Sequence, residues 1–213
     1  MNIPRPTPIY RIIHVDNLAV CLKRGGFHAP NNVPDDGLKY RTIHNVGIQN
    51  VRRQRTIPCG PRGTMHDYVP FYFGPRSPML LQLHTGEVNG YHEGQEPIIY
   101  IVTTVEKVLK HSLQFVFSDG QGIKAFTTWY DNLKDLNRID WEMVYADYWA
   151  DTLDDMDRQR RKQAEFLIYQ FCPIEAVTEI GVLNNRMKQK VETILQKFGI
   201  NNIPVNIHRD WYY

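Results

Sequence analysis

The run His66–Leu80, HDYVPFYFGPRSPML, limits this chain's fold more than any other stretch. Extended alternation puts Tyr68, Pro70 and Tyr72 on one face and Val69, Phe71 and Phe73 on the other. The second face is apolar throughout and suits a core. The first sets two phenols beside a proline and suits a flat aromatic ligand. Pro70 has no N–H to give a ladder, so the strand should be an edge or lie at a cleft. Arg52, Arg53 and Arg55 precede it and Arg76 follows, so guanidinium groups flank the aromatic face. The same residues also suit an ordinary aromatic core strand with solvated arginines.

A chain of 213 residues is long enough for one sizeable core, and a single domain over 1–213 is expected. Its net charge of +2 is too small to mark a nucleic-acid binder, so any basic footprint must be local. Cys21, Cys59 and Cys172 form no CxxC pair, which fits a reducing intracellular setting. The start MNIPRPTPIYR lacks the apolar segment of a signal peptide, and no run of about 18 apolar residues follows. A cytoplasmic protein without membrane contact is expected.

The pattern predicts a strand over Ile9–Val15, with Tyr10, Ile12 and His14 on one face, then a helix Asn17–Arg24 capped by Asp16. Residues 27–50 read as a long loop, and Ile48–Thr56 as a helical piece with Arg52 and Arg55 on one face. Met79–Leu83, Pro97–Val105 and Gln114–Ser118 read as strands, with Glu106–Ser112 a short helix. Residues 124–163 hold Trp129, Trp141 and Trp149, and an acidic run from Asp147 to Asp157 that reads as a solvated helix face. That run passes into Arg158, Arg160, Arg161 and Lys162. Ala164–Phe171 alternates as a strand, with Glu165 heading an apolar face. A carboxylate there costs free energy unless it is paired or used; Arg161 or Lys162 is the simplest structural partner. A helix Asn184–Lys197 and a strand Ile203–Ile207 close the chain. The order of elements predicts an α+β fold on antiparallel strands with long inserted loops.

Several chemistries are excluded. There is no GxGxxG after a strand, no GxxxxGK[ST], no GxSxG and no HExxH, and the histidines are too dispersed to predict a metal site. What remains suits attack at a positively charged glycosidic bond. A leaving pyridinium needs an aromatic slot, a diphosphate needs arginines, and a developing ribosyl cation needs a carboxylate.

Five separated stretches carry a more specific signal: DYVPFYFGPRSPML, FVFSDG, TTWYDNLKDLNRIDW, RRKQAEFLIYQF and the closing WYY. With IYRIIHVDNL before them, they resemble, in order, the DarT family of DNA ADP-ribosyltransferase toxins. The resemblance implies an ADP-ribosyltransferase fold around an NAD⁺ cleft, and transfer of ADP-ribose from NAD⁺ to a base, typically thymine, of single-stranded DNA, without a metal. It also implies a macrodomain antitoxin of the DarG type as partner; a monomer is expected. The family's catalytic glutamate falls on Glu165 in the AEFL motif. Its NAD-binding histidine falls on His14, with Asp16 and Asn17 beside it. Its catalytic arginine is placed on Arg55, with Arg52 the alternative, and both are expected at the cofactor. Tyr68 or Tyr72 would line the nicotinamide slot. The segment 124–163 corresponds to the family's substrate-recognition loop, where Tyr148, Trp149, Arg158 and Arg161, with Arg52 and Arg76, would meet DNA. An acceptor other than thymine (guanine, RNA or protein) and a catalytically silent nucleic-acid-binding module stay open as alternatives.

Overall fold

The computed structural model describes residues 2–213. Its strands are β1 (Pro8–His14), β2 (Gly26–His28), β3 (Tyr68–Tyr72), β4 (Ile98–Thr104) and β5 (Phe115–Ser118), then β6 (Trp129–Tyr130), β7 (Glu165–Tyr169), β8 (Phe171–Pro173), β9 (Glu179–Val182) and β10 (Val205–Ile207). The helices are α1 (Asp16–Lys23), α2 (Val46–Gln54), α3 (Pro78–Thr85), α4 (Val105–Lys110), α5 (Trp141–Tyr145), α6 (Arg158–Lys162) and α7 (Asn185–Lys197). Eight strands form one sheet in the order β10-β9-β4-β1-β3-β7-β5-β6, and β2 pairs with β8 apart from it. Neighbours run antiparallel except β9 and β10, which are parallel. No helix among the described residues is long and apolar enough to cross a membrane.

The period-2 pattern sorts side chains to the two faces of this sheet. Ile9, Ile13, Val69, Phe71 and Phe73 join one apolar layer, which α1 and α7 cover with Leu18, Leu22, Val191 and Leu195. Tyr10, Ile12, Ile98 and Tyr100 face the other way, against Leu80 and Leu83 of α3 and the penultimate Tyr212.

Four expectations change. Met79–Leu83 is not a strand but lies within α3: the Ser77 hydroxyl accepts from the Leu80 N–H, Pro78 sits in the first turn, and Gly86 ends the helix at φ +77°. An apolar run this short looks alike in either conformation, and the punctuation at its ends decides. Asp16 is the first helical residue, not the cap, which falls on Val15. The acidic run Asp147–Asp157 is irregular chain rather than a helix face. Finally, of the two places expected for β3, edge or cleft, only the second holds: it lies inside the sheet, between β1 and β7, with Pro70 and Tyr72 at a cleft.

Pro70 nonetheless sits where its missing donor does no harm. Strand β3 pairs with β7 along its length but meets β1 only at Tyr10↔Tyr72. The Pro70 carbonyl points to the β1 side, where it accepts from Arg11 Nη1 at 3.0 Å. A strand residue's N–H and C=O point the same way, so the absent N–H also faces this opening. The sheet parts beside Pro70, and the cleft begins there.

Candidate active site

Strand β7 begins at Glu165, and its register with β3 sets Glu165 opposite Tyr72. The glutamate is 2% exposed. Helix α2 supplies its counter-charge. Asn45 starts that helix by accepting from the Gly47 and Ile48 N–H groups, and in its last turn Arg52 is turned inward. Arg52 Nη1 donates to both carboxylate oxygens of Glu165, at 2.8 and 3.1 Å. The Gly122 N–H adds a third hydrogen bond, to Oε1 at 2.9 Å. Gly122 can approach because it lacks Cβ: a Cβ there would lie 2.5 Å from Met65 Cε. The carboxylate is thus held rigidly from two sides. Arg52 Nη2 is buried and has no partner.

Arg55, expected as the catalytic arginine, does not face Glu165. Helix α2 stops at Gln54, and Arg55 turns off the helical face at φ −72°, ψ 111°. Its guanidinium donates to the carbonyls of Gly122 (3.3 Å) and Lys124 (3.1 Å). It braces the segment whose Gly122 amide holds the carboxylate. The arginine of the pair is Arg52.

A cleft of about 610 Å³ opens over this pair, lined among others by Asn17, Tyr68, Pro70, Tyr72, Arg52 and Glu165. That is the size of a site for a cofactor-sized ligand. The two tyrosines differ. Tyr68 donates its hydroxyl to the Arg62 carbonyl at 2.7 Å and is fully buried, whereas Tyr72 is partly open to the cleft. Burial, then the nearby Glu165 charge, pushes the Tyr72 phenol well above its ordinary range, so it stays neutral. His66 and His44 are pushed down, chiefly by burial and then by neighbouring arginines, and favour the neutral imidazole.

His14 and Asp16 stand apart from Glu165. They border a second, smaller concavity with Glu93 and Lys190. His14 Nδ1 accepts from the Asp16 N–H at 3.1 Å, and its buried Nε2 lies 3.5 Å from a Glu93 oxygen without a hydrogen bond. Arg41 lines the large cleft while its guanidinium bonds Asp16 and Glu93 of the smaller one. Asn17 clamps the Arg41 backbone from both sides, accepting from its N–H and donating to its carbonyl.

The residues expected to meet DNA divide. Tyr148 is exposed. Trp149 is not available for stacking: it is buried, and its Nε1 donates to the Tyr213 hydroxyl. Arg158 is spent on the Tyr148 and Ala150 carbonyls, and Arg161 on Asp140 and Asp155. Arg76 lies over the Tyr213 ring, 3.6 Å from an Asp147 oxygen. Glu165 itself takes neither Arg161 nor Lys162; the Lys162 ammonium donates to the Val144 and Ala146 carbonyls. Asp147, Asp151, Asp155 and Asp157 therefore serve as partners that staple the loop. On the cleft wall the segment 124–163 presents two residues that sequence spacing does not single out, Phe126 (79% exposed) and Met156 (71% exposed). Their signal was large apolar side chains in a polar loop.

Comparison with known proteins adds three findings. A family model described as "DarT: ssDNA thymidine ADP-ribosyltransferase, DarT" matches residues 10–213. Among named relatives, a DNA ADP-ribosyl transferase of Thermus sp. (strain 2.9) is 42% identical, over 99% of this chain and 98% of its own length. A Thermosipho africanus fusion of a DNA ADP-ribosyl transferase with a DNA ADP-ribosyl glycohydrolase is 22% identical over 94% of this chain and 49% of its own. Among solved structures, Thermus sp. 2.9 DarT in complex with ADP-ribosylated ssDNA superposes with a TM-score of 0.93 at 40% identity, covering 100% of this chain and 99% of that one. The same protein in complex with NAD⁺ gives 0.87 at 38% identity, covering all of both chains.

Proposed function

The chain belongs to the DarT family of single-stranded-DNA thymidine ADP-ribosyltransferases, and from that premise we propose that its Glu165–Arg52 pair carries out the transfer. The protein is an NAD⁺-dependent enzyme of the ADP-ribosyltransferase fold that moves ADP-ribose onto thymine in single-stranded DNA. The bond from the ribose anomeric carbon to nicotinamide breaks, and its electron pair leaves with the neutral nicotinamide. A bond from thymine N3 to that carbon forms, and the N3 proton is released to water.

The observation that carries the assignment is the buried carboxylate at the cleft, held by Arg52 Nη1 and the Gly122 amide. Glu165 accepts the 2-hydroxyl of the reacting ribose and stabilises positive charge as nicotinamide departs; its fixed position means little has to reorganise at that moment. Arg52 Nη2, the unpartnered buried donor, is free to take a thymine oxygen beside N3 and favour loss of the proton. Tyr72, a neutral phenol opposite Glu165, lines the slot for the departing ring.

Two partners follow in the same reading. Phe126 and Met156 offer apolar faces to a splayed base at the cleft wall. A macrodomain glycohydrolase of the DarG type reverses the mark; the support is the Thermosipho relative, which joins a DNA ADP-ribosyl glycohydrolase to its transferase. Action on DNA as a toxin places the enzyme in the cytoplasm. Labelled NAD⁺ with thymine-containing and thymine-free single strands, RNA and protein tests the reading. Label should appear on thymine-containing DNA alone and vanish with Glu165→Ala. Label on the thymine-free strand would reassign the acceptor.

A further inference from the structure

One charge in the cleft wall has no role in the transfer as described. Arg11, in the middle of β1, reaches into the opening between β1 and β3 and lines the same cleft as Arg52 and Tyr72. Its Nη1 donates to the Pro70 carbonyl, while its Nε is buried with no partner at all. The ionisable groups that act on it most are Cys21, Tyr40, Cys172 and Arg52, none of them a carboxylate. The glutamate of this cleft is already held by Arg52 and Gly122. An uncompensated guanidinium is costly in such a place, and Arg52 nearby adds like-charge repulsion.

The bond to Pro70 explains a donor but not a charge, because a neutral amide would serve that carbonyl as well. A cation kept without a counter-ion, reachable from a ligand cleft, fits an anion that arrives with the ligand. We propose that Arg11 is a phosphate-binding residue, its guanidinium taking an anionic phosphate oxygen of one of the two substrates. The inference rests on the transferase reading, in which both substrates bring phosphate to this cleft: NAD⁺ as a diphosphate and the strand as phosphodiesters. Arg52 is taken up by the carboxylate through Nη1 and, in that reading, by thymine through Nη2, so Arg11 is the guanidinium of the inner wall left for phosphate. The opening beside Pro70, where β1 and β3 part, is what gives it access.

The test is Arg11→Gln, which removes the charge and keeps a donor for the Pro70 carbonyl. Calorimetry would titrate wild type and variant with ADP-ribose, which carries the diphosphate but does not react, and separately with a short thymidine oligonucleotide. At least a tenfold loss of affinity is expected for one ligand. Loss for ADP-ribose identifies the diphosphate as the anion; loss for the oligonucleotide identifies the strand. A residue that only holds Pro70 would lower the melting temperature and leave both affinities unchanged, and that result overturns the proposal. Should R11Q not fold, R11K carries the same test: its single ammonium cannot reproduce a paired N–H contact, so several-fold weakening is expected, and wild-type affinity for both ligands overturns the proposal. Failure of the wild type to label DNA from NAD⁺ would count against the transferase reading instead.

Discussion

At the scale of single residues, the Glu165–Arg52 contact separates charge from geometry. One nitrogen of Arg52 satisfies the carboxylate and the other has no partner. A lysine at 52 could replace the ion pair but not the second donor. Arg52→Lys should therefore melt within a few degrees of wild type while single-turnover transfer falls by about 10²–10³, the loss typical of one transition-state donor. An R52K enzyme with wild-type turnover would leave Arg52 a structural counter-ion only. Lys162 gives a second residue-scale test. Burial, then Arg76, lowers its ammonium from 10.5 to about 8. Below about 8 it is charged in both folded and unfolded chains, and the folded state bears the cost of burying it. Between about 8 and 10.5 the folded chain has lost the proton and the unfolded chain still binds it, so stability rises with pH. Melting temperatures of wild type minus Lys162→Met should climb across that window; a flat difference would mean that Lys162 titrates normally.

At the scale of elements, α2 is the weak link of the site. It is nine residues long, its Val46 and Val51 are exposed, and it carries the arginine that meets Glu165. A helix this short depends on its ends and its packing. Asn45→Ala removes the acceptor for the Gly47 and Ile48 N–H groups and should cost about 1 kcal/mol. Because frayed α2 displaces Arg52, activity should fall by more than global stability does, and Asn45→Ser should recover most of both. Equal activity in N45A and wild type would show that the packing of α2, not its cap, holds Arg52 against Glu165. The loop 147–157 is the opposite case, irregular in backbone yet pinned through its carbonyls and aspartates by Arg158, Arg160 and Arg161.

At the scale of the whole molecule, the arginine clusters at 52–55 and 158–161 do not add up to a broad basic groove, because Arg52, Arg160 and Arg161 are paired with carboxylates and Arg55 and Arg158 are turned onto backbone carbonyls. Binding of single strands should then rest on few phosphate contacts. Two contacts would give a log–log salt slope of about −1.4, at about −0.7 each. A slope steeper than about −4 would point to a phosphate track elsewhere on the surface. Duplex DNA should be a poor acceptor, since a paired thymine has its N3 engaged and must be flipped out at a cost of a few kcal/mol. Equal labelling of a matched duplex and single strand would remove base pairing from the account.

The chain's local patterns determined what depends on near neighbours. The apolar face of Val69, Phe71 and Phe73, the anomaly of Glu165 at the head of an apolar strand, and the face and ends of α7 follow from periods of two and 3.6 and from capping residues. The family resemblance, carried by ordered motifs, agrees with the relatives in fold, cofactor and acceptor. What only the tertiary structure decided depends on partners far along the chain. Arg52 and Arg55 look equivalent until the helix stops between them, and the choice rests on a carboxylate 113 residues away. Trp149 resembled a nucleic-acid surface because its partner, Tyr213, lies outside any local window, and Arg161 because one of its carboxylates, Asp140, comes from 21 residues away. Arg11 carried no signal in its strand pattern, since only the parting of β1 from β3 at Pro70 leaves a guanidinium in the cleft wall. Periodicity records which side of an element is buried; it does not record what waits on that side, and charge pairing is settled there.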